Sequence, residues 1–179
     1  MAREFCNFFL HFGGRNQKDA EKGKQLGFTN TDYFKEDQMV FGSVCVKRVD
    51  GRHGDTDILA EKAGPVSGFI FSSNKEKKIY LAGDTVYCKG MEDVILKEKP
   101  DYIIVNACDA RTSLGRLIMD AEDVVKTCKF AKDSIIIASH MDTVSHAHLT
   151  RKELKEYLKN TPYEKQVMIP EDGEIIEIS

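Results

Sequence analysis

The sequence lacks several features that mark specialised proteins. It has no tryptophan and only four prolines, and no apolar run approaches the roughly 20 residues that span a bilayer. The apolar stretch near the N-terminus is short, is interrupted by His11 and is not followed by a small-residue cleavage site. We therefore expect no signal peptide and no membrane association.

The cysteines show no metal-binding or redox spacing. No C-x-x-C pair occurs, and the five cysteines are scattered along the chain: Cys6, Cys45, Cys88, Cys108 and Cys128. An odd, scattered set is typical of reduced thiols in a cytoplasmic protein. The pattern predicts a cytoplasmic location and disfavours a zinc knuckle or a redox motif.

Length and charge indicate a single globular domain over residues 1–179. The chain has 26 basic and 29 acidic side chains, a formal net charge of −3, with 31% charged and 41% hydrophobic residues. This balance excludes a disordered or collagen-like protein, and chains usually split into domains only beyond roughly 250–300 residues. No basic stripe is present, so we expect no nucleic-acid partner.

Apolar segments alternate with helical segments along the second half of the chain. Strands are predicted at 79–82, 102–105, 135–138 and 167–169, and helices at 92–99, 120–131 and 150–160. Upstream, the patterns predict a helix at 17–26, a strand at 39–48 and a hairpin made by 66–72 and 78–82. This alternation favours an α/β fold with a covered sheet. Thr150 followed by Glu153 fits a capping box at the start of the last helix.

Polar side chains follow the ends of three predicted strands. Asp84 follows IYLAG, His140 follows IIIAS, and His53 lies in the turn RHGD. Ligand sites in open α/β sheets gather at the carboxyl ends of strands, and a carboxylate with two imidazoles suits zinc or another borderline divalent metal. The alternatives are a turn-forming aspartate and ordinary, partly exposed histidines.

The segment HMDTVSHAHLTR, residues 140–151, contains three of the five histidines. His146 and His148 have a spacing that suits a chelate but is common by chance, and a polar loop leading into the last helix is the alternative. The density of histidines favours a site here. No G-x-S-x-G elbow, Walker A loop or G-x-G-x-x-G motif occurs, and nothing local supports Cys108 with His140 as a nucleophile pair.

Six motifs follow one another in a recognisable order: GPVSGFIF, KIYLAGDTVY, KPDYIIVNACDA, LIMDAEDV, IIIASHMDTVSHAHLTR and IPEDGEIIEI. In this order they resemble the metallo-β-lactamase-fold hydrolases, and within them the L-ascorbate-6-phosphate-lactonase-like branch. The resemblance covers residues 17–179, whereas residues 1–16 are atypical. It implies a metallo-β-lactamase-type αββα sandwich.

The resemblance also implies roles for the strand-end residues. Asp84 corresponds to the carboxylate that bridges two metals, His140 to a ligand of the second metal and His53 to a ligand of the first. His146 and Arg151 match polar positions near the substrate pocket, which makes them, with Asp84, the implied catalytic residues. Zinc or manganese is the implied divalent metal. Its bound hydroxide would attack a lactone, ester or phosphoester in a small, in some cases phosphorylated, substrate.

One departure from the family concerns its His-x-His-x-Asp-His signature, which supplies most of the metal ligands. The sequence has no such motif, and His11 is the only histidine before His53. We therefore expect an N-terminally truncated fold with low metal occupancy and impaired activity. Missing strands would expose a sheet edge and an apolar face, which predicts a homo-oligomer. The alternative is a non-catalytic remnant, a binding or oligomerisation module that retains the fold.

Overall fold

The computed structural model describes residues 12–14, 17–34, 37–142 and 145–178. Its strands are β1 (Phe12–Gly14), β2 (Thr31–Tyr33), β3 (Gln38–Phe41), β4 (Val44–Asp50), β5 (Ser67–Ser72), β6 (Ile79–Leu81), β7 (Tyr102–Asn106), β8 (Arg111–Thr112), β9 (Gly115–Arg116), β10 (Ile135–Ser139) and β11 (Val167–Met168). Its helices are α1 (Gln17–Gln25), α2 (Asp57–Ala63), α3 (Lys89–Glu98), α4 (Ala121–Phe130) and α5 (Arg151–Lys159), followed by a 3₁₀ turn (Glu164–Gln166). The sequence prediction of an α/β fold is confirmed.

A mixed sheet of seven strands forms the centre of the structure, in the order β11-β10-β7-β6-β5-β4-β3. The pairings from β11 to β6 are parallel, and those from β6 to β3 are antiparallel. The β5–β6 pair is the predicted hairpin. Two small pairs complete the strands described, β1 with β2 and β8 with β9.

Helices cover one face of the sheet. Tyr80, Ile103 and Ile136 are direct neighbours on β6, β7 and β10, and each is fully buried. They belong to one apolar core with buried positions of α3, α4 and α5, among them Met91 and Leu154. Alternate strand residues face opposite sides of a sheet, and residues 79, 81, 104, 135 and 137 on the other side are only half-buried.

Local signals account for the starts of two helices. Thr150 and Glu153 form the predicted capping box at the start of α5, with both reciprocal hydrogen bonds present. The Asp120 side chain accepts a hydrogen bond from Asp123 N at the start of α4. Such caps satisfy backbone N–H groups that have no partner inside the helix.

The structure corrects the sequence prediction at three elements. The single strand expected at 39–48 is two strands, β3 and β4, joined by a tight turn in which Gly42 has a φ of 58°. Helix α2 was not predicted; it is short and buries a single side chain, Leu59, so it shows no helical periodicity. Helix α3 begins at Lys89, three residues before the predicted start.

No helix in the described ranges is both long and apolar enough to cross a membrane. The predicted N-terminal apolar stretch with His11, and Cys6, lie outside the described residues.

The central position of Ile103 gives a test of the fold. Ile103→Ala is expected to lower the free energy of unfolding by about 2–5 kcal/mol, because it removes a fully buried side chain between two parallel neighbours. Denaturant unfolding followed by circular dichroism measures this change. Leu96→Ala, at a position 59% exposed on α3, is the control and should change stability little. Equal effects of the two substitutions would contradict this core.

Candidate active site at the edge of the sheet

The carboxyl ends of four strands meet at one edge of the seven-stranded sheet. Strands β6, β7 and β10 run parallel, and β4 shares their direction because two antiparallel pairings separate it from β6. His53 follows β4, Asp84 follows β6 and His140 directly follows β10. The topology therefore brings the loops that carry all three predicted metal ligands to one edge, as the strand-end rule leads us to expect.

The end of β7 holds Asp84. Asn106, the last residue of β7, donates from Nδ2 to Asp84 Oδ1 at 2.7 Å. Ser139, its neighbour on β10, places Oγ 3.3 Å from Asn106 Oδ1. The turn into Asp84 depends on Gly83, which has a φ of 71° and whose added Cβ would lie 2.8 Å from Ser67 O.

Backbone hydrogen bonds join the loops of His53 and Asp84. Arg52 N donates to Thr85 Oγ1 at 2.9 Å, and Val86 N donates to Arg52 O at 2.8 Å. These bonds join the residue before His53 to the two residues after Asp84, so they hold one loop against the other. His53 itself borders a cleft of about 700 Å³ between its loop, the end of α2 and the start of α3, and Asp84 and His140 do not line this cleft.

His140 faces a buried thiol. The residue is exposed and has a φ of 65°, and its Nδ1 lies 3.7 Å from Cys108 Sγ. Cys108 is fully buried. Burial raises the pKa of the Cys108 thiol above its ordinary value, so the neutral thiol persists at neutral pH. With Nδ1 turned towards the interior, Nε2 is the ring nitrogen left for an external group.

The loop with His146 and His148 is anchored on Cys108. His148 N donates to Cys108 O at 2.9 Å, and His146 O accepts from Arg111 N at 3.3 Å. Both histidines are exposed. Backbone groups make these contacts, so the catalytic role of His146 stays a prediction.

Arg151 ties three segments together. Its Nη1 donates to Met141 O at 3.2 Å and to Asp142 Oδ2 at 2.9 Å, and its Nε donates to Pro170 O at 2.8 Å. An ion pair with Asp172 adds a further contact. The side chain is only 12% exposed. Arg151 therefore holds the loop after β10 against the C-terminal segment. Its role in catalysis stays a prediction.

The donor chemistry at this edge is suitable for a divalent metal, because imidazole and carboxylate are ordinary zinc ligands. The donor positions do not complete a site. Across residues 12–14, 17–34, 37–142 and 145–178, no three or more His, Cys, Asp or Glu side chains are grouped closely enough to hold a metal ion. His53, Asp84 and His140 therefore share an edge without forming a three-ligand set by themselves.

Asn106 is the residue at this edge that the sequence analysis missed. The predicted strand ends at residue 105, which leaves Asn106 outside the set of strand-end residues. A polar side chain directly after a buried strand, next to the loop that carries Asp84, was the signal that could have identified it.

Solved structures identify the fold. An isothiocyanate hydrolase from Delia radicum gut bacteria superposes with a TM-score of 0.86 at 33% identity, covering 93% of this chain and 66% of that one. A possible metal-dependent hydrolase from Veillonella parvula gives 0.83 at 31% identity, covering 90% and 64%. The metallo-β-lactamase fold protein YhfI from Bacillus subtilis gives 0.61 at 16% identity, covering 88% and 61%, which shows the fold alone. The fold is that of the metallo-β-lactamase-fold hydrolases, which confirms the predicted fold class.

Sequence comparison relates the chain to a particular family. No family model matches it. The UPF0173 protein YddR of Bacillus subtilis is 38% identical over 161 residues, covering 89% of this chain and 63% of YddR. Other relatives are described as UPF0173 metal-dependent hydrolases, which implies a divalent metal in those proteins. The chain spans less than two thirds of the length of these relatives. The lactonase branch and the N-terminal truncation stay predictions.

The contacts of Arg151 generate a stability prediction. Arg151→Lys keeps the charge but loses the planar donor fork, so we expect the free energy of unfolding to fall by about 1–3 kcal/mol, the scale of hydrogen bonds to charged groups. Thermal and denaturant unfolding measure the change. Lys152→Ala, at the exposed neighbouring position, should leave stability nearly unchanged. A stable Arg151→Lys protein with lost activity would instead favour the catalytic role.

Thiol accessibility provides a second test of the site. Cys108 and Cys128 are fully buried, whereas Cys45 and Cys88 are half-buried. Among these four described cysteines, a maleimide reagent at neutral pH should therefore modify Cys45 and Cys88 first, as read by mass spectrometry of peptides. Burial raises the pKa of Cys128 to about 12. Because only the thiolate reacts, labelling of Cys128 should accelerate at a higher pH than labelling of an ordinary thiol. Early labelling of Cys108 in the folded protein would contradict the described packing.

Proposed function

We propose that this chain carries the catalytic edge of a metal-dependent hydrolase that acts on small molecules. The observation that carries the proposal is the convergence of the Asp84, His53 and His140 loops at the carboxyl edge of a sheet with the metallo-β-lactamase fold. The similarity to UPF0173 metal-dependent hydrolases supports it. In this proposal His53, Asp84 and His140 contribute ligands to a divalent metal, zinc or manganese, within a set that needs further donors.

The proposed roles of the protein groups follow from hydrolysis itself. Water must lose a proton as it adds to the substrate, and the leaving group must gain one. The Asp84 carboxylate is held at the edge by Asn106 and is the proposed proton acceptor. His146 is exposed in the loop anchored on Cys108 and is the proposed proton donor. Arg151 acts by holding the loop that carries His140.

Two substrate classes are worth testing. The motif resemblance suggests a lactone, an ester or a phosphoester. The similarity to an isothiocyanate hydrolase suggests an isothiocyanate, whose central carbon is also attacked by water. Pocket shape decides between such substrates, and the cleft beside His53 is the proposed place for the substrate body.

The alternative is a non-catalytic binding module with the same fold. One observation favours it, namely that the described residues supply no group of three metal ligands. The homo-oligomer predicted from the sequence is part of this alternative. The half-buried apolar side of the sheet offers a surface for association.

Asp84→Asn tests the proposed function. We expect the purified chain to bind a divalent metal and to hydrolyse at least one of a phenyl isothiocyanate, a γ-lactone or a phosphodiester. The substitution should lower metal affinity and kcat/KM by about 10–100-fold or more, because it removes the carboxylate charge at nearly constant shape. Elemental analysis and a substrate panel with added zinc or manganese measure both quantities.

The control is Asp133→Asn, at an exposed position in the turn before β10, which should change neither. No bound metal and no turnover in the wild-type chain, under all metal additions, would reject the hydrolase and favour the binding module.

A further inference from the structure

The order of the strands places the end of β7 between two active-site loops. β7 pairs with β6 on one side and with β10 on the other. Asp84 follows β6, and His140 follows β10. A residue at the end of β7 is therefore adjacent to both loops, whereas the ends of β6 and β10 are each one strand further from the opposite loop.

The chemistry of the two side chains determines which atom of Asn106 faces Asp84. A carboxylate can only accept hydrogen bonds, so the group facing it must be the amide nitrogen of Asn106. That leaves Asn106 Oδ1 to accept, and Ser139 Oγ lies 3.3 Å from it. The 2.7 Å bond from Asn106 Nδ2 holds Asp84 Oδ1. Among the described residues no hydrogen bond is made to Asp84 Oδ2, which leaves that oxygen for an external group.

Cys108, two residues further along, meets His140 in a comparable way. Its Sγ lies 3.7 Å from His140 Nδ1. Cys108 is itself held firmly, because its carbonyl accepts from His148 N and Leu149 N, and the N–H of the next residue, Asp109, donates to Met119 O. Full burial keeps the Cys108 thiol away from any substrate at the edge. The thiol therefore acts on the site through its contact with the His140 imidazole.

We propose that the segment Asn106–Cys108 is a two-pronged positioning element, in which Asn106 orients the Asp84 carboxylate and Cys108 orients the His140 imidazole with Nε2 outward. The inference rests on the proposed function for its catalytic consequence. The orientation of the two side chains is a property of the protein alone. Neither Asn106 nor Cys108 contacts the reacting atoms; each acts through its partner.

Two buried cysteines allow a matched test of the His140 arm. Cys108→Ala removes the partner of Nδ1, and Cys128→Ala removes an equally buried thiol on α4. We record imidazole ¹⁵N chemical shifts by NMR at one fixed pH, with the His140 signals assigned through His140→Gln. Cys108→Ala should change the Nδ1 and Nε2 shifts of His140, since the tautomer depends on the partner of Nδ1. Cys128→Ala should leave them in place.

The Asp84 arm is tested with Asn106→Asp, which replaces the donor by a second carboxylate, and with Asn106→Ser, a smaller polar side chain kept in case the first variant does not fold. Asn74→Asp in the exposed turn between β5 and β6 is the control. Zinc affinity from chelator competition and kcat on the best substrate should each fall about 10–100-fold in the Asn106 and Cys108 variants, the usual effect of residues that orient ligands. KM should change much less, because the substrate is not contacted.

The outcomes separate this inference from the proposed function. Unchanged His140 shifts in Cys108→Ala, with unchanged zinc affinity in folded Asn106 variants, would overturn the positioning element even in an active hydrolase. Changed His140 shifts in a wild-type protein without metal or turnover would support the His140 arm and reject the hydrolase. A cobalt-substituted protein adds one readout: a thiolate-to-cobalt absorption band lost in Cys108→Ala would make Cys108 a direct ligand and overturn its positioning role.

Discussion

The parallel pairing of β7 with strands on both sides is the constraint on which the rest of the structure depends. On the helix-covered face of the sheet, Ile103 and Val105 of β7 are fully buried in the core. The next residue, Asn106, leaves the core and contacts Asp84. One strand of five residues thus closes the core and sets the spacing between the loops of β6 and β10. The register of β7 against β6 and β10 therefore determines where the loops with Asp84 and His140 lie.

Local patterns were sufficient to predict much of this fold. The alternation of short apolar strands with helices predicted the α/β class, and Thr150 with Glu153 marked the start of α5 because both partners of a capping box lie within one turn. The turn at Gly42 was missed because the apolar and β-branched residues continue through it. Helix α2 was missed because a helix of seven residues that buries one side chain has no hydrophobic period to detect.

The candidate site was partly predictable for a similar reason. Asp84 lies three residues after the end of β6 and His140 directly follows β10, so a rule about strand ends finds both from the sequence. Their orienting partners are 22 and 32 residues away along the chain, and no local pattern reveals such a contact. Arg151 is a further case. Its motif predicts a place near substrate, and its partners on the loop after β10 and the C-terminal segment could not be predicted, because only the folded chain brings these segments together.

The distribution of buried groups separates the stability of this protein from its chemistry. The large apolar contributions come from the helix-covered side of the sheet, where burial of one side chain is worth about 1.5–3 kcal/mol. The edge is held by individual hydrogen bonds, each worth about 0.5–1.5 kcal/mol net. Loss of one such bond therefore costs less stability than loss of a core side chain, and the fold alone does not define the reaction. In this chain the described edge supplies oriented donors, Asp84 and His140, while the described residues do not complete a metal-binding group. In the proposed hydrolase, activity consequently depends on further ligands that join these two side chains at the edge.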